Sequence, residues 1–314
     1  VAQKLLDALS PPMVLGGREI VPGASLGFAI FPQDGDNLQG LMMAADKAMY
    51  SAKHAGRGQY RFYDPEMNRA AADWLEVGAE LHHALERDEF ELHYQPKVNL
   101  RTGAITGVEA LIRWRSPDLG LVPPNKFIPI LEENGLILEV GEWVIARACR
   151  QARLWQEQGL PLLRIAVNLS PRQFQQRDLA QRIRSLIDQP DFLPEYLELE
   201  ITESMVMQNV ERAIATLAEL RQIGVRLAID DFGTGYSSLS RLNALPLDYL
   251  KIDGSFLEAL DNGQDTICKT IIRMAHSLDM QVIAEGVETA TQLQRLADLE
   301  CDFVQGFHFA KPMN

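Results

Sequence analysis

Between residues 107 and 305, short apolar runs recur, and each one ends on a polar or charged residue. Gly107-Val108 leads to Glu109, and Arg164-Ile165-Ala166-Val167 leads to Asn168. Tyr196-Leu197-Glu198-Leu199 leads to Glu200, with Glu203 just beyond, and Val225-Arg226-Leu227-Ala228-Ile229 leads to Asp230 and Asp231. Asp248-Tyr249-Leu250 leads to Lys251, Gln281-Val282-Ile283-Ala284 to Glu285 with Glu288 one turn on, and Cys301-Asp302-Phe303-Val304 to Gln305. Segments with helical periodicity separate the runs, at 210–223, 265–278 and 289–299. Strands alternating with helices argue for parallel βαβ units. The expected fold is α/β, a (β/α)8 TIM-like barrel, whose C-terminal strand ends converge on one mouth where active sites sit.

That mouth would gather four carboxylates, an Asn and a Lys. Asp230-Asp231-Phe232-Gly233-Thr234-Gly235 is its most pointed element. Adjacent residues on a strand face opposite ways, so two neighbouring acids share a site only if the chain turns there. Gly233 and Gly235 permit such a turn. Taken alone, the pair reads better as an N-cap of the next helix, but the recurrence of strand-end polar groups favours a site. Acids packed this closely repel one another. A divalent cation relieves that repulsion, and oxygen ligands favour Mg²⁺ or Mn²⁺ over softer metals.

The chain of 314 residues has room for about two domains. Its net charge of −13 argues against a nucleic-acid polymer as partner, since that affinity rests on phosphate neutralisation. A small dinucleotide held through metal ions is compatible with it. Cys149, Cys268 and Cys301 lie far apart with no Cys-x-x-Cys spacing, which points to a reduced cytoplasm. His82-His83 diverge on a helix and read as a solvated face rather than a metal pair. No apolar run approaches the length of a membrane span, and nothing at the N-terminus resembles a signal peptide.

Glu109-Ala110-Leu111, with Arg113 and Trp114 following, resembles the signature of the EAL domain, the cyclic di-GMP phosphodiesterase module. Further stretches are similar to that family in order: Tyr94-Gln95-Pro96-Lys97-Val98, Phe127-Ile128-Pro129, Asn168-Leu169-Ser170, Glu198 to Glu203, Asp230 to Leu239, Lys251-Ile252-Asp253, Ala284 to Glu288 and Gln305-Gly306-Phe307. A lone Glu-Ala-Leu triplet carries nothing; this ordered set, spanning residues 81–313, is highly specific. The resemblance implies hydrolysis of cyclic di-GMP to linear pGpG with two metal ions. It implies that Glu109, Asn168, Glu200 and Asp230 hold one ion, and that Asp230 and Asp231 hold the second. Lys251 would orient the attacking water, and Glu285 would serve as acid/base or outer ligand. Arg113 would hold a phosphate oxygen, Gln95 and Gln305 would touch substrate, and Glu203 would anchor the loop carrying Asp231. Structural alternatives are an Arg113–Glu109 pair, a helix-entry role for Glu203, and ordinary hydrogen bonding by the two glutamines. A receptor that binds cyclic di-GMP without cleaving it is the alternative function. Receptor-type members lose a metal ligand or degrade the Asp-Asp-Phe-Gly loop, and this chain does neither. The resemblance also implies a homodimer coupled through the region after the Asp-Asp loop.

The first stretch is a different unit. Ser25-Leu26-Gly27-Phe28-Ala29, Asp34-Gly35, Ala44 to Lys53 and Gly56-Arg57-Gly58 resemble the C-terminal part of a GGDEF domain, the diguanylate cyclase module. The cyclase signature itself is expected upstream of this strand; Gly16-Gly17-Arg18-Glu19-Ile20 mimics it in the wrong place and reads as a turn. A helix over 38–53 would bury Leu41, Ala45, Ala48, Met49 and Ala52. Asp64-Pro65 reads as the start of another helix, running to about Arg87, with Met67, Ala71, Trp74, Leu81 and Leu85 on one stripe. The expected domains are a GGDEF remnant at 1–64, a linker helix at 65–80 and the EAL domain at 81–314. The chain lacks an initiator Met and is expected to be a piece of a longer protein, in which any sensor or membrane segment lies elsewhere.

Overall fold

The computed structural model describes residues 1–9, 11, 13–15, 18–20, 23–54, 58–188, 192–233 and 239–314. They form two compact units, Val1–His83 with Asn125–Ile130, and Ala84–Pro124 with Leu131–Asn314.

In the first unit, strands Leu26–Phe28 and Tyr60–Phe62 pair in parallel beside the helix Leu38–His54. The expected helix is present, but its buried stripe is Ala44, Ala48 and Ala52, while Met49 is exposed. Gly27 explains the difference. A Cβ there would run into the backbone at Ala45 and Met49, so the helix lies against the strand backbone and only small side chains fit between. The next helix spans Glu66–Ala84 rather than continuing to Arg87. Asp64 Oδ1 accepts from the Glu66 N–H at 2.9 Å, as an N-terminal cap should. Among its described side chains Val77, Leu81 and Ala84 are buried, and Trp74 and Leu85 are only partly covered. His82 and His83 are exposed. The side chain of Ala71 and the turn expected at Gly16-Gly17 lie outside the described residues. Strands Met13–Leu15 and Arg18–Ile20 on either side pair antiparallel.

The second unit is a closed barrel of eight strands: β1 (Phe90–Asn99), β2 (Ile105–Ser116), β3 (Arg164–Asn168), β4 (Leu197–Thr202), β5 (Arg226–Phe232), β6 (Tyr249–Ile252), β7 (Gln281–Ala284) and β8 (Phe303–Val304). From β2 to β8 neighbouring strands are parallel. β1 breaks the all-parallel expectation, running antiparallel to both β2 and β8. The cause is local. Asn99 Oδ1 accepts from the N–H groups of Arg101 and Thr102, and Gly103 takes φ 68°, which closes a tight reversal into β2 with no room for a crossover helix. The central strands are buried on both faces; Leu197, Leu199 and Ile201 of β4 are fully inaccessible. Outside them, the helix Ile137–Glu157 buries Ile137, Val140, Val144, Ile145 and Ala148 at helical spacing.

Candidate active site at the barrel mouth

β5 delivers both acids of the Asp-Asp pair by bending at the acid itself. Asp231 has φ 54°, in the left-handed region that Asp tolerates better than most residues. The register between β5 and β6 shifts between Ile229 and Phe232, and Gly233 follows at φ 97°. The flip undoes the strand alternation, so carboxylate oxygens of Asp230, Asp231 and Glu285 lie within 4.8 Å of one another. Gly233 is part of the turn as expected; Gly235 lies outside the described residues. Glu285 arrives from the end of β7, where its N–H donates to Ile252 O at 3.1 Å.

Lys251 of β6 stands beneath these acids and is 1 % exposed. Its Nζ lies 2.7 Å from Glu200 Oε2, 2.7 Å from Glu285 Oε1 and 3.1 Å from Asp230 Oδ1. Burial alone would lower its pKa; Glu109, Glu200, Glu285 and Asp230 more than reverse this, holding it charged well above the usual lysine value. Burial likewise raises Glu200, but Lys251 and Lys97 bring it down to about 2, so it is a firm carboxylate. Glu109, Asp231 and Glu285 are all held above the ordinary carboxylate value. Burial is the first cause for each; Glu200 adds to it for Glu109, and Asp230 for the other two. Five carboxyl groups, Glu109, Glu200, Asp230, Asp231 and Glu285, thus gather around Lys251 and Lys97. An all-oxygen, electron-rich donor set of this kind fits a hard divalent cation.

Glu109 is placed differently from the strand-end expectation. β2 runs on to Ser116, and Glu109 sits in mid-strand, opposite Gln95 of β1. Pairing with β3 stops at Ala110, so β2 leaves the barrel just past Glu109. Asn168 Nδ2 donates to Glu109 Oε1 at 2.7 Å, and Gln305 Nε2 donates to Glu109 Oε2. Gln305 also donates to Gln95 Oε1 at 3.0 Å, and Gln95 Nε2 donates to Ala310 O at 3.0 Å. The buried Gln305 Oε1 has no partner among the described residues, which leaves an acceptor available to a ligand. Gln95, Glu109, Glu285 and Gln305 border a cavity of about 200 Å³ with Leu111, Gly286, Glu288 and Phe307. Arg113 lies on the Glu109 face of β2, two positions beyond Leu111. Its Nη1 donates to Ile112 O at 2.8 Å, and Glu109 takes Asn168 and Gln305 instead.

Glu203 opens the short helix Glu203–Met207, as a helix-entry acid would. It does more than that: Oε2 accepts the Gly233 N–H at 3.0 Å, tying the chain just past Asp231 to β4.

Lys97 and Glu198 were not singled out from the sequence as site residues. Lys97 Nζ lies 2.6 Å from Glu198 Oε1 and 2.7 Å from Glu200 Oε1, inside the barrel. The signal was period 2: Gln95 and Lys97 share one face of β1, and Glu198 and Glu200 one face of β4. Glu288 and Phe307, which border the cavity, were seen only as parts of motifs.

Residues 79–312 match the family model described as the EAL domain, and residues 1–59 match that of the diguanylate cyclase, GGDEF domain. The chain is 42 % identical to the bifunctional diguanylate cyclase/cyclic di-GMP phosphodiesterase MucR of Pseudomonas aeruginosa, over 100 % of this chain and 46 % of that one. It is 42 % identical to the signaling protein YkoW of Bacillus subtilis, over 100 % and 39 %. It is 38 % identical to the cyclic di-GMP phosphodiesterase PdeR of Escherichia coli, over 100 % and 47 %. The chain thus spans less than half the length of these curated relatives. Among solved structures, the MucR phosphodiesterase in complex with c-di-GMP is similar at 43 % identity and TM-score 0.73, over 76 % of this chain and 97 % of that one.

Proposed function

Because the chain belongs to the EAL-domain family, we propose that its barrel is a metal-dependent phosphodiesterase that hydrolyses cyclic di-GMP to linear pGpG. The observation that carries this is the convergence of Asp230, Asp231 and Glu285 within 4.8 Å at the barrel mouth, above the charged Lys251. Asp230 and Asp231 would hold one cation. Glu109, Asn168 and Glu200 would hold a second, with Asp230 shared; Glu200 keeps lone pairs for this, since a carboxylate has about four and its two lysines take one each. When bound, two Mg²⁺ or Mn²⁺ ions lower the pKa of water and neutralise the phosphodiester.

The chain's own groups supply the rest. Hydrolysis adds water oxygen to phosphorus and breaks the bond to the 3′ oxygen, which leaves with a proton; the phosphate of pGpG stays on the 5′ side. Lys251 holds Glu200, Asp230 and Glu285 in one array. All three of its N–H bonds face carboxylates, so to orient a water it must release one, and Glu285, the most open of the three, is the one to yield. Glu285 then serves as acid/base or as an outer ligand. Arg113, half-buried on the Glu109 face of β2, holds a phosphate oxygen. The open acceptor of Gln305 faces the ligand, and Gln95 fixes the Gln305 amide. Glu203 keeps Asp231 in its left-handed conformation through Gly233.

Among the described residues no helix is long and apolar enough to cross a membrane. The proposed setting is the cytoplasm, where the nucleotide acts as a bacterial second messenger. The test is incubation with cyclic di-GMP and Mg²⁺ or Mn²⁺, followed by chromatography. Formation of pGpG that stops on chelation supports the reading. Intact nucleotide, with binding seen by calorimetry, would replace it with a receptor.

A further inference from the structure

Lys97 is 4 % exposed and enters the barrel interior from β1, whereas the acids it meets are on β4. Among the described strands the neighbours of β1 are β2 and β8, so this contact crosses the barrel instead of following a sheet neighbour. Glu198 and Glu200, two residues apart, face Lys97 together. Lys97 takes Glu200 Oε1 at 2.7 Å while Lys251, from β6, takes Oε2 at 2.7 Å. The Glu200 carboxylate is thereby gripped from two strands at once, one lysine on each oxygen.

We propose that Lys97 is a positioning residue, which fixes the plane of the Glu200 carboxylate so that its remaining lone pairs face the cation site. This rests on the phosphodiesterase reading of the same site. Without Lys97, Glu200 follows Lys251 alone and its rotamer is set from one side only. Partners that orient a ligating group typically govern 10- to 100-fold in metal affinity.

A purely structural Lys97 would serve only to neutralise Glu198, 2.6 Å away. The double variant Lys97→Met/Glu198→Gln separates the two roles. It removes one positive and one negative charge, so the net charge of the interior is unchanged while Glu200 loses its second lysine. Lys97→Leu/Glu198→Gln guards against a packing failure in one variant. Folding is checked by thermal unfolding, and Mn²⁺ affinity is read by calorimetry on the metal-free protein. The expected result is a 10- to 100-fold weaker Mn²⁺ affinity in the folded double variants. Turnover should recover towards wild type as Mn²⁺ is raised, with KM for cyclic di-GMP little changed. Glu198→Gln alone keeps the Lys97–Glu200 contact and should fall short of the tenfold loss expected of the double variants. Wild-type Mn²⁺ affinity in a folded double variant would overturn the positioning role while leaving the phosphodiesterase reading intact. A wild-type protein that neither binds Mn²⁺ nor cleaves cyclic di-GMP would overturn both.

Discussion

Lys251→Met tests the electrostatic design of the mouth. The ammonium is 1 % exposed and lies within 3.1 Å of Glu200, Asp230 and Glu285. Methionine fills nearly the same volume without the charge, so packing changes little and three crowded carboxylates lose their common counter-ion. Removing one partner of a buried charge cluster costs about 3–5 kcal/mol. In a domain of this size each kcal/mol lowers Tm by about 2–4 °C, so the metal-free variant should melt on the order of 10 °C below wild type. Divalent cation supplies the missing positive charge and should return part of that loss by mass action. Turnover should stay low even when metal and substrate saturate, because the group that organises the acids is gone, and KM should change far less than kcat. Thermal unfolding in chelator and in Mg²⁺, with steady-state kinetics, reads all three quantities. A metal-free variant with the Tm of wild type, or a defect confined to KM, would refute the reasoning.

Glu203→Ala removes the acceptor of the Gly233 N–H and should cost about 1–3 kcal/mol of stability while weakening Mn²⁺ binding through Asp231; unchanged rate and metal affinity would leave Glu203 as a helix-entry acid only. The buried thiols should resist labelling. Burial pushes Cys149 and Cys301 up to about 12, so at pH 8 these two thiols should react on the order of a thousandfold more slowly in native than in unfolded protein; burial also raises Cys268, which should react more slowly in the native state too. Rapid native labelling of Cys301 would contradict its enclosure. Arg113→Ala should raise KM for cyclic di-GMP about tenfold or more, with Mn²⁺ affinity unchanged in calorimetry; an unchanged KM would return Arg113 to its contact with Ile112 O.

The polar mouth was legible because the strands from β2 to β8 are largely apolar runs that end, or leave the sheet, at hydrophilic residues. Asn168, Glu200, Asp230, Lys251, Glu285 and Gln305 all lie on the C-terminal portions of their strands or just past them. The direction of β1 was not legible, although the parallel run from β2 to β8 was. The period-2 pleat of β1 looks the same whichever way the chain runs, and only the Asn99–Gly103 reversal makes it antiparallel. The means by which adjacent acids share a site was half legible: Gly233 signalled a turn, but the decisive left-handed residue is Asp231 itself. The stripe of 38–54 was partly legible: Ala48 and Ala52 are buried where periodicity placed them, but close approach at Gly27 selects small side chains, so Ala44 is buried and Met49 is exposed. The role of Lys97 was not legible because a lysine on an alternating strand ordinarily faces water, and its acid partners come from a strand about a hundred residues away.

The central claim is that these acids hold the cations that drive hydrolysis. Its most direct test compares wild type with Asp230→Asn and Glu109→Ala in cyclic di-GMP turnover with Mg²⁺, read by chromatography on proteins of matched thermal stability. The account predicts chelator-sensitive pGpG from wild type and near-complete loss from both folded variants. Wild-type rates in either variant would contradict it.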